Sequence, residues 1–416
     1  AAVGDLAQVR LVKVLKNHCY GRIEALIEPS PDRVEPDCPV SRRCGGCVFR
    51  QVSYPAEQRY KQGFVEENLR RIGGISLAVE PLEPSPQADG YRNKAQYPVQ
   101  QREGRLTAGF YAPRTHQVVD CRDCRLQPPL FGAILRETLA LLEAFSIPAY
   151  DETTRTGLVR HIYLRQAPAT GQTMLCLVVN GGGLPREREL AAHLAEKFSQ
   201  LASIQLNRND QNTNVILGPR SRVLWGAATI TDRLCGLEVS LSPGAFYQVN
   251  SPAAQQLYAI AAEYAGLTGR ETLLDLYCGA GTIGLSMAGR CRQVIGVEIV
   301  PQAVENAREN ARRNGIGNAR FLCADAAQAA LRLEGEGITP DVVVLDPPRK
   351  GCDRALLETV ARMPPQRVVY ISCNSATLAR DLAHLGTLGY RTCRCRPVDL
   401  FPRTAHVEAV ALAQRE

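Results

Sequence analysis

The sequence predicts an α/β fold, with a Rossmann-like C-terminal half behind a β-rich middle. Two patterns and one count carry that expectation. After Thr268, strand-like runs alternate with helical segments, which means βαβ units and a parallel sheet covered on both faces. From Tyr91 to about Gly244 short strand-like runs dominate, interrupted by helical patterns only near 129–145 and 185–199. The 416 residues suffice for two or three domains, and a composition 45% hydrophobic and 22% charged is that of a globular chain.

In chain order, residues 8–14 and 18–27 read as strands and resemble the last strands of a small TRAM/OB-like β-barrel, a partial unit over 1–33. The chain opens on Ala1 rather than Met, and the beginning of such a barrel is missing from it. SPDRVEPDCPVSRRCGGC is rich in turn formers and reads as irregular. Residues 52–72 carry periodic Val, Leu and Ile and predict a helix ended by Gly73-Gly74, free to pack on the C-terminal domain. PLEPSPQADG, 81–90, reads as a linker or long turn. YRNKAQYPV, TAGFYA, LVRHIYLRQA and TMLCLVVN are the strands of a central unit, 34–244. TLLDLY, QVIGVE, ARFLCAD, DVVVLD, RVVYIS and HVEAVAL are those of the last unit, 245–416, with helices over 301–313 and 352–362 between them.

Lys and Arg number 49 against 42 Asp and Glu, a net charge of +7 that permits a nucleic-acid partner without requiring one. No apolar run approaches the ~20 residues of a membrane span, and no N-terminal signal pattern is visible. Fifteen cysteines are an odd number and too few for a disulfide scaffold, so a reducing cytoplasm is expected. Several, such as Cys176 and Cys323, lie in apolar runs as small hydrophobes.

Chemistry concentrates at strand ends. LLDLYCGAGTIG closes a strand at Asp275 and turns tightly through Gly279, Gly281 and Gly284 into a helix, letting backbone approach a ligand. Glu298 ends the next strand, where a carboxylate can accept from a ribose diol. Asp325 ends the third, in reach of an adenine amino group. The glycine spacing alone serves dinucleotide dehydrogenases equally well. Asp346-Pro347-Pro348 makes a stiff extended rim at the end of the fourth strand. Arg349 follows, where enzymes that methylate an exocyclic amine usually carry an aromatic residue. Cys373 ends the fifth strand. Ser375 is expected to cap the next helix, whose N-terminus would lower the thiol pKa. Alternation in HVEAVAL puts His406 and Glu408 on one face, and a carboxylate in that apolar strand is costly unless used or paired.

CPVSRRCGGC spaces Cys38, Cys44 and Cys47, with Gly45-Gly46 letting the chain wrap closely. Cys124 is the best fourth ligand and Cys121 its neighbour. Four thiolates bind zinc or a [4Fe–4S] cluster, and spacing does not choose.

Taken together, LLDLYCGAGTIGL, GVEIVPQAVENARENARRNG, DPPRKG, YISCN, FPRTAHVEAV and SPGAFYQVN resemble the RNA uracil-5-methyltransferases, in order along essentially the whole chain. The resemblance implies a class I S-adenosylmethionine methyltransferase domain. It puts Gln248, Tyr277, Thr282, Glu298, Asp325 and Asp346 on the cofactor, with Cys373 as nucleophile and Glu408 as base, and sets Phe246 beside the flipped base. Some relatives carry Asn where Thr282 stands. RNA cytosine-5 enzymes place a second cysteine where this chain has Arg349. The cysteine spacing is similar to that of the family's iron–sulfur subgroup, whose fourth ligand matches Cys124. That subgroup acts on 23S ribosomal RNA. The resemblance therefore implies a cytoplasmic, monomeric 23S rRNA uracil-5-methyltransferase with S-adenosylmethionine and a [4Fe–4S] cluster. The alternatives are a tRNA uracil-5-methyltransferase and a non-catalytic iron–sulfur RNA-binding protein.

Overall fold

The structure, a computed structural model, describes residues 2–416. It opens on an antiparallel hairpin, β1 (Leu6–Val14) and β2 (Cys19–Glu28), whose side chains are nearly all exposed, Leu11, Val14 and Tyr20 among them. Helix α1 (Tyr54–Arg71) follows. Its Val65 and Leu69 enter the core of the C-terminal sheet, not that of the β-rich middle. Lys61 fastens it there. The ammonium is wholly buried and lies 2.7 Å from both Glu57 and Asp399, so its charge is paired twice.

The central sheet takes β3 (Lys94–Arg102), β4 (Arg105–Tyr111), β5 (Val118–Asp120), β6 (Val159–Gln166), β7 (Thr173–Val179), β8 (Leu201–Arg208) and β9 (Arg220–Gly226), in the order β5-β4-β3-β6-β7-β8-β9. Only β7 and β8 pair in parallel, joined by helix α3 (Glu187–Lys197); α2 (Pro129–Ala144) packs with α3 on one face. TMLCLVV in β7 is buried throughout because both faces are covered: Leu175 and Leu177 face the helices, Met174 and Cys176 the C-terminal core. A short hairpin, β10 (Ile230–Leu234) and β11 (Leu237–Leu241), and helix α4 (Ser251–Ala265) complete that shared core.

The last sheet runs β12 (Thr272–Leu276), α5 (Thr282–Met287), β13 (Gln293–Glu298), α6 (Pro301–Arg313), β14 (Ala319–Cys323), α7 (Ala326–Gly335), β15 (Val342–Leu345), α8 (Arg354–Arg362), β16 (Arg367–Ser372), α9 (Ser375–Thr387), β17 (Tyr390–Val398) and β18 (Glu408–Arg415). The strand order is β14-β13-β12-β15-β16-β18-β17. The expected parallel sheet holds from β14 to β16. It fails at the end of the chain, where β18 inserts antiparallel to both β16 and β17. A direct hydrogen-bonded return from β17 needs only a loop, whereas a parallel return needs a crossover. Among the described residues no helix is long and apolar enough to cross a membrane.

Candidate active site

The glycine-rich turn after β12 is shaped by its neighbours. Asp275 lies one residue inside the strand, not at its end. Its Oδ2 accepts from the Gly284 N–H at 2.9 Å, and burial pushes the carboxyl up to about 7. Asp275 thus pins the turn from behind. Gly281 takes a left-handed φ of +79° with Phe321 and Ala307 close to where a Cβ would stand. Tyr277 also holds a left-handed φ, +68°, a strained conformation for a bulky side chain.

The other candidate cofactor residues gather around this turn. Glu298 closes β13; its two oxygens accept from Gly279 N–H (3.1 Å) and Val300 N–H (2.8 Å), which fixes the carboxylate at the sheet's edge. Thr282 opens α5, its hydroxyl 3.2 Å from Tyr258. Asp325 is exposed and caps α7 through Ala327 and Gln328 N–H, so one oxygen is already committed. Asp346 ends β15, its carboxyl pushed up to about 7 by burial. Gln248 precedes α4, and its carbonyl accepts from Asn93, just before β3, at 2.8 Å. Arg165 clasps the same SPGAF loop from the other side through the carbonyls of Ser242 and Ala245, both at 2.7 Å. Phe246 is left 68% exposed.

Cys373 follows β16 and lines a hollow of about 290 Å3 with Phe64 and Asn68 of α1, Arg349 and His406. Two expectations change here. Asn374, not Ser375, caps α9, accepting from Ala376 N–H (3.1 Å) and Thr377 N–H (3.5 Å). The Cys373 thiol is pushed up, not down: burial raises it, Glu408 and Asp346 add to that, and Arg349 opposes them. Burial is the largest of these causes.

Glu408 reaches this point because of the antiparallel insertion. Ser372 pairs with Ala409, so the next residues along each strand, Cys373 and Glu408, meet. Glu408 is buried, and burial together with Asp346 pushes its carboxyl up to about 8. His406 lines the same hollow as Cys373. It precedes β18, stands exposed and lies 3.2 Å from Arg349. Phe64, Asn68 and Arg349 were not singled out as site residues by the sequence, because only long-range packing of α1 brings the first two here.

The cysteines form a second cluster. Cys38, Cys44, Cys47, Cys121 and Cys124 line one cavity of about 70 Å3, backed by Val40, Val119 and Phe110. Cys44 and Cys47 are pushed up, chiefly by burial and also by the neighbouring sulfurs, and Arg50 opposes the rise at Cys47. Cys124 is lowered, first by a hydrogen bond from Cys121. Among the described residues no three Cys, His, Asp or Glu side chains converge as a ready-made single-ion site. The donor set nevertheless fits a thiolate-bound group, since Arg50, Arg92 and Arg125 border the sulfurs and offset their charge.

Fold and strand-end residues define a class I S-adenosylmethionine-dependent methyltransferase. Residues 237–416 match the model of the tRNA (Uracil-5-)-methyltransferase family. Uncharacterized RNA methyltransferases of Halalkalibacterium halodurans and Clostridium tetani are 44% and 42% identical, over 100% and 99% of this chain and 91% and 90% of theirs. The crystal structure of Pyrococcus abyssi tRNA (uracil-54, C5)-methyltransferase in complex with S-adenosyl-L-homocysteine superposes with TM-score 0.78 at 27% identity, covering 99% of this chain and 93% of that one. The chain belongs to the RNA uracil-5-methyltransferase family.

Proposed function

We propose that this chain methylates carbon 5 of a uridine in 23S ribosomal RNA through a covalent adduct on Cys373. The meeting of Cys373 and Glu408 across the β16–β18 pair supports the reading most strongly. Carbon 5 of uracil is a poor nucleophile. The Cys373 thiolate adds to carbon 6, and the resulting enolate places electron density on carbon 5. Bound S-adenosylmethionine supplies an electrophilic methyl. Glu408 then takes the carbon 5 proton, the carbon 6–sulfur bond breaks, and the thiolate leaves. Arg349, beside Cys373, favours the thiolate. Gln248, Tyr277, Thr282, Glu298, Asp325 and Asp346 hold the cofactor. The target base must leave its stack to enter the hollow.

The division into 1–33, 34–244 and 245–416, a cytoplasmic location and a monomeric state belong to the same reading. So does a [4Fe–4S] cluster on Cys38, Cys44, Cys47 and Cys124. The shared cysteine cavity supports that cluster, and the cluster is what favours ribosomal over transfer RNA. A tRNA target is the second reading, favoured by the tRNA-modifying archaeal enzyme that this chain matches along nearly its full length. Mapping 5-methyluridine in RNA from cells with and without the gene separates them. Loss of the modification from 23S rRNA alone is expected; loss from tRNA alone overturns the ribosomal target.

A further inference from the structure

We infer that the cysteine segment 38–50 is the scaffold of the turn that delivers Glu408, with Arg403 as its positioning residue, so that filling the cysteine cavity is felt at the release half of the reaction. This rests on the roles proposed above for Glu408 and the cysteines.

Between the end of β17 at Val398 and the start of β18 at Glu408 lies a connection with no helix or strand of its own. Most of its anchors come from the segment before residue 92; Asn250, the cap of α4, adds one to the Leu400 carbonyl at 3.0 Å. Lys61 bonds Asp399 (2.7 Å) and the carbonyl of Phe401 (3.0 Å). Tyr91 donates to the Pro402 carbonyl at 2.9 Å. The Arg403 carbonyl accepts twice, from Val48 N–H at 2.9 Å and Phe49 N–H at 3.1 Å. The Arg403 N–H donates to Glu57 at 2.6 Å and its guanidinium to the Val52 carbonyl at 3.1 Å. Arg403 has a left-handed φ of +69°, which a branched chain of contacts must hold in place. From there Thr404 bonds back to the Phe401 carbonyl (2.8 Å) and receives the His406 N–H (3.2 Å), two residues before Glu408.

Val48 directly follows Cys47, so the pair of hydrogen bonds to the Arg403 carbonyl starts one residue from a candidate ligand. The segment is mostly turns, and the apolar cluster behind it is small: Val40 of the segment with Val119 and Cys121 from the end of β5 are its buried members. Few apolar contacts and irregular backbone leave its order dependent on whatever bridges the sulfurs. The turn's Ala405, His406 and Val407 wall the Cys373 hollow, but the backbone that carries the thiol does not depend on the turn. That backbone is held by β16 and by the Asn374 cap of α9. Emptying the cavity should therefore loosen the approach to Glu408 and spare the nucleophile.

The test compares anaerobically purified holoprotein, protein stripped with an iron chelator, and Cys47→Ala, with metal content measured on each. Hydrogen exchange is read over 48–49, over 400–408 and, as reference, over β16 and α9. Protection of the first two should fall about tenfold or more without metal while the reference holds. On 5-fluorouridine RNA the stripped protein should still form the Cys373 adduct. On ordinary RNA it should accumulate methylated adduct, a split that general destabilisation would not give. Unchanged protection at 400–408, or addition and release falling in parallel, overturns the inference. If the purified protein holds no metal, the cluster reading fails separately. Val48→Pro, which deletes one donor to Arg403 and removes no sulfur, then decides: loosening of 400–408 with adduct formation retained supports the scaffold, and unchanged exchange there overturns it.

Discussion

At the scale of single residues, Cys373 and Glu408 should fail differently. Cys373→Ala is expected to give no methylation and no covalent complex, since no other group can add to carbon 6 in the same place. Glu408→Gln should complete methyl transfer and slow release by about 100-fold or more. Denaturing gels with methyl-labelled cofactor would show a labelled protein–RNA band for Glu408→Gln and none for Cys373→Ala. The pH dependence follows from the same pair. A carboxyl pushed up to about 8 is protonated at neutral pH and gains its base form as pH rises through that value. A thiol that is also raised gains its nucleophilic form in the same direction. kcat should therefore climb between pH 7 and the alkaline side of 8, and a profile flat across that range would contradict the assignment. Glu408 is itself one of the causes raising Cys373. Adduct formation by Glu408→Gln should thus extend to lower pH than in the parent, measured with 5-fluorouridine RNA.

At the scale of elements, helix α1 and strand β18 decide the site. The apolar period of residues 52–72 was enough to predict a helix, and packing on the C-terminal domain was an expectation without a local signal. Nothing local told that Phe64 and Asn68 would wall the Cys373 hollow. The buried Lys61 is the element's weak point. Lys61→Met leaves the Glu57 and Asp399 carboxylates buried without their cation, and should cost about 3–5 kcal/mol. Urea unfolding with an unchanged midpoint would show the pair to be idle. Strand β18 was legible as a strand but not in its direction. HVEAVAL alternates identically whichever way it runs. Only the hydrogen-bond partner chosen in the sheet places Glu408 at the carboxyl ends of the parallel strands rather than at the far side.

At the scale of the molecule, two properties depend on the whole chain. The cysteine cavity draws Cys38, Cys44 and Cys47 from one segment and Cys121 and Cys124 from the end of β5 and beyond. Anaerobically purified protein should be brown with about four irons per chain, as a four-thiolate cubane requires. Cys124→Ala should lose the metal and Cys121→Ala should largely keep it. Stoichiometric zinc on metal analysis would exclude the cluster. The net charge is +7, with basic stretches such as SRRC, YRNK and PPRK. RNA affinity should then fall steeply with salt, by roughly 0.7 log units per log unit of salt for each phosphate contacted on a single strand. Titrations at low and moderate salt that give the same Kd would speak against phosphate contacts.

The sequence by itself determined the βαβ order, the glycine-rich turn, the strand-end acids and the cysteine spacing, because each is written in adjacent residues whose period or stereochemistry acts locally. It also carried the family, since several motifs stand in order along the chain. Tertiary structure alone decided which way β18 runs, and therefore that Cys373 meets Glu408. It moved the helix cap from Ser375 to Asn374, because only the folded backbone shows which side chain reaches the free N–H groups. It reversed the expected shift of the Cys373 thiol as well. A helix terminus is readable from sequence, but burial, the largest cause of the rise, and the carboxyls of Glu408 and Asp346, which add to it, come from parts of the chain distant from Cys373.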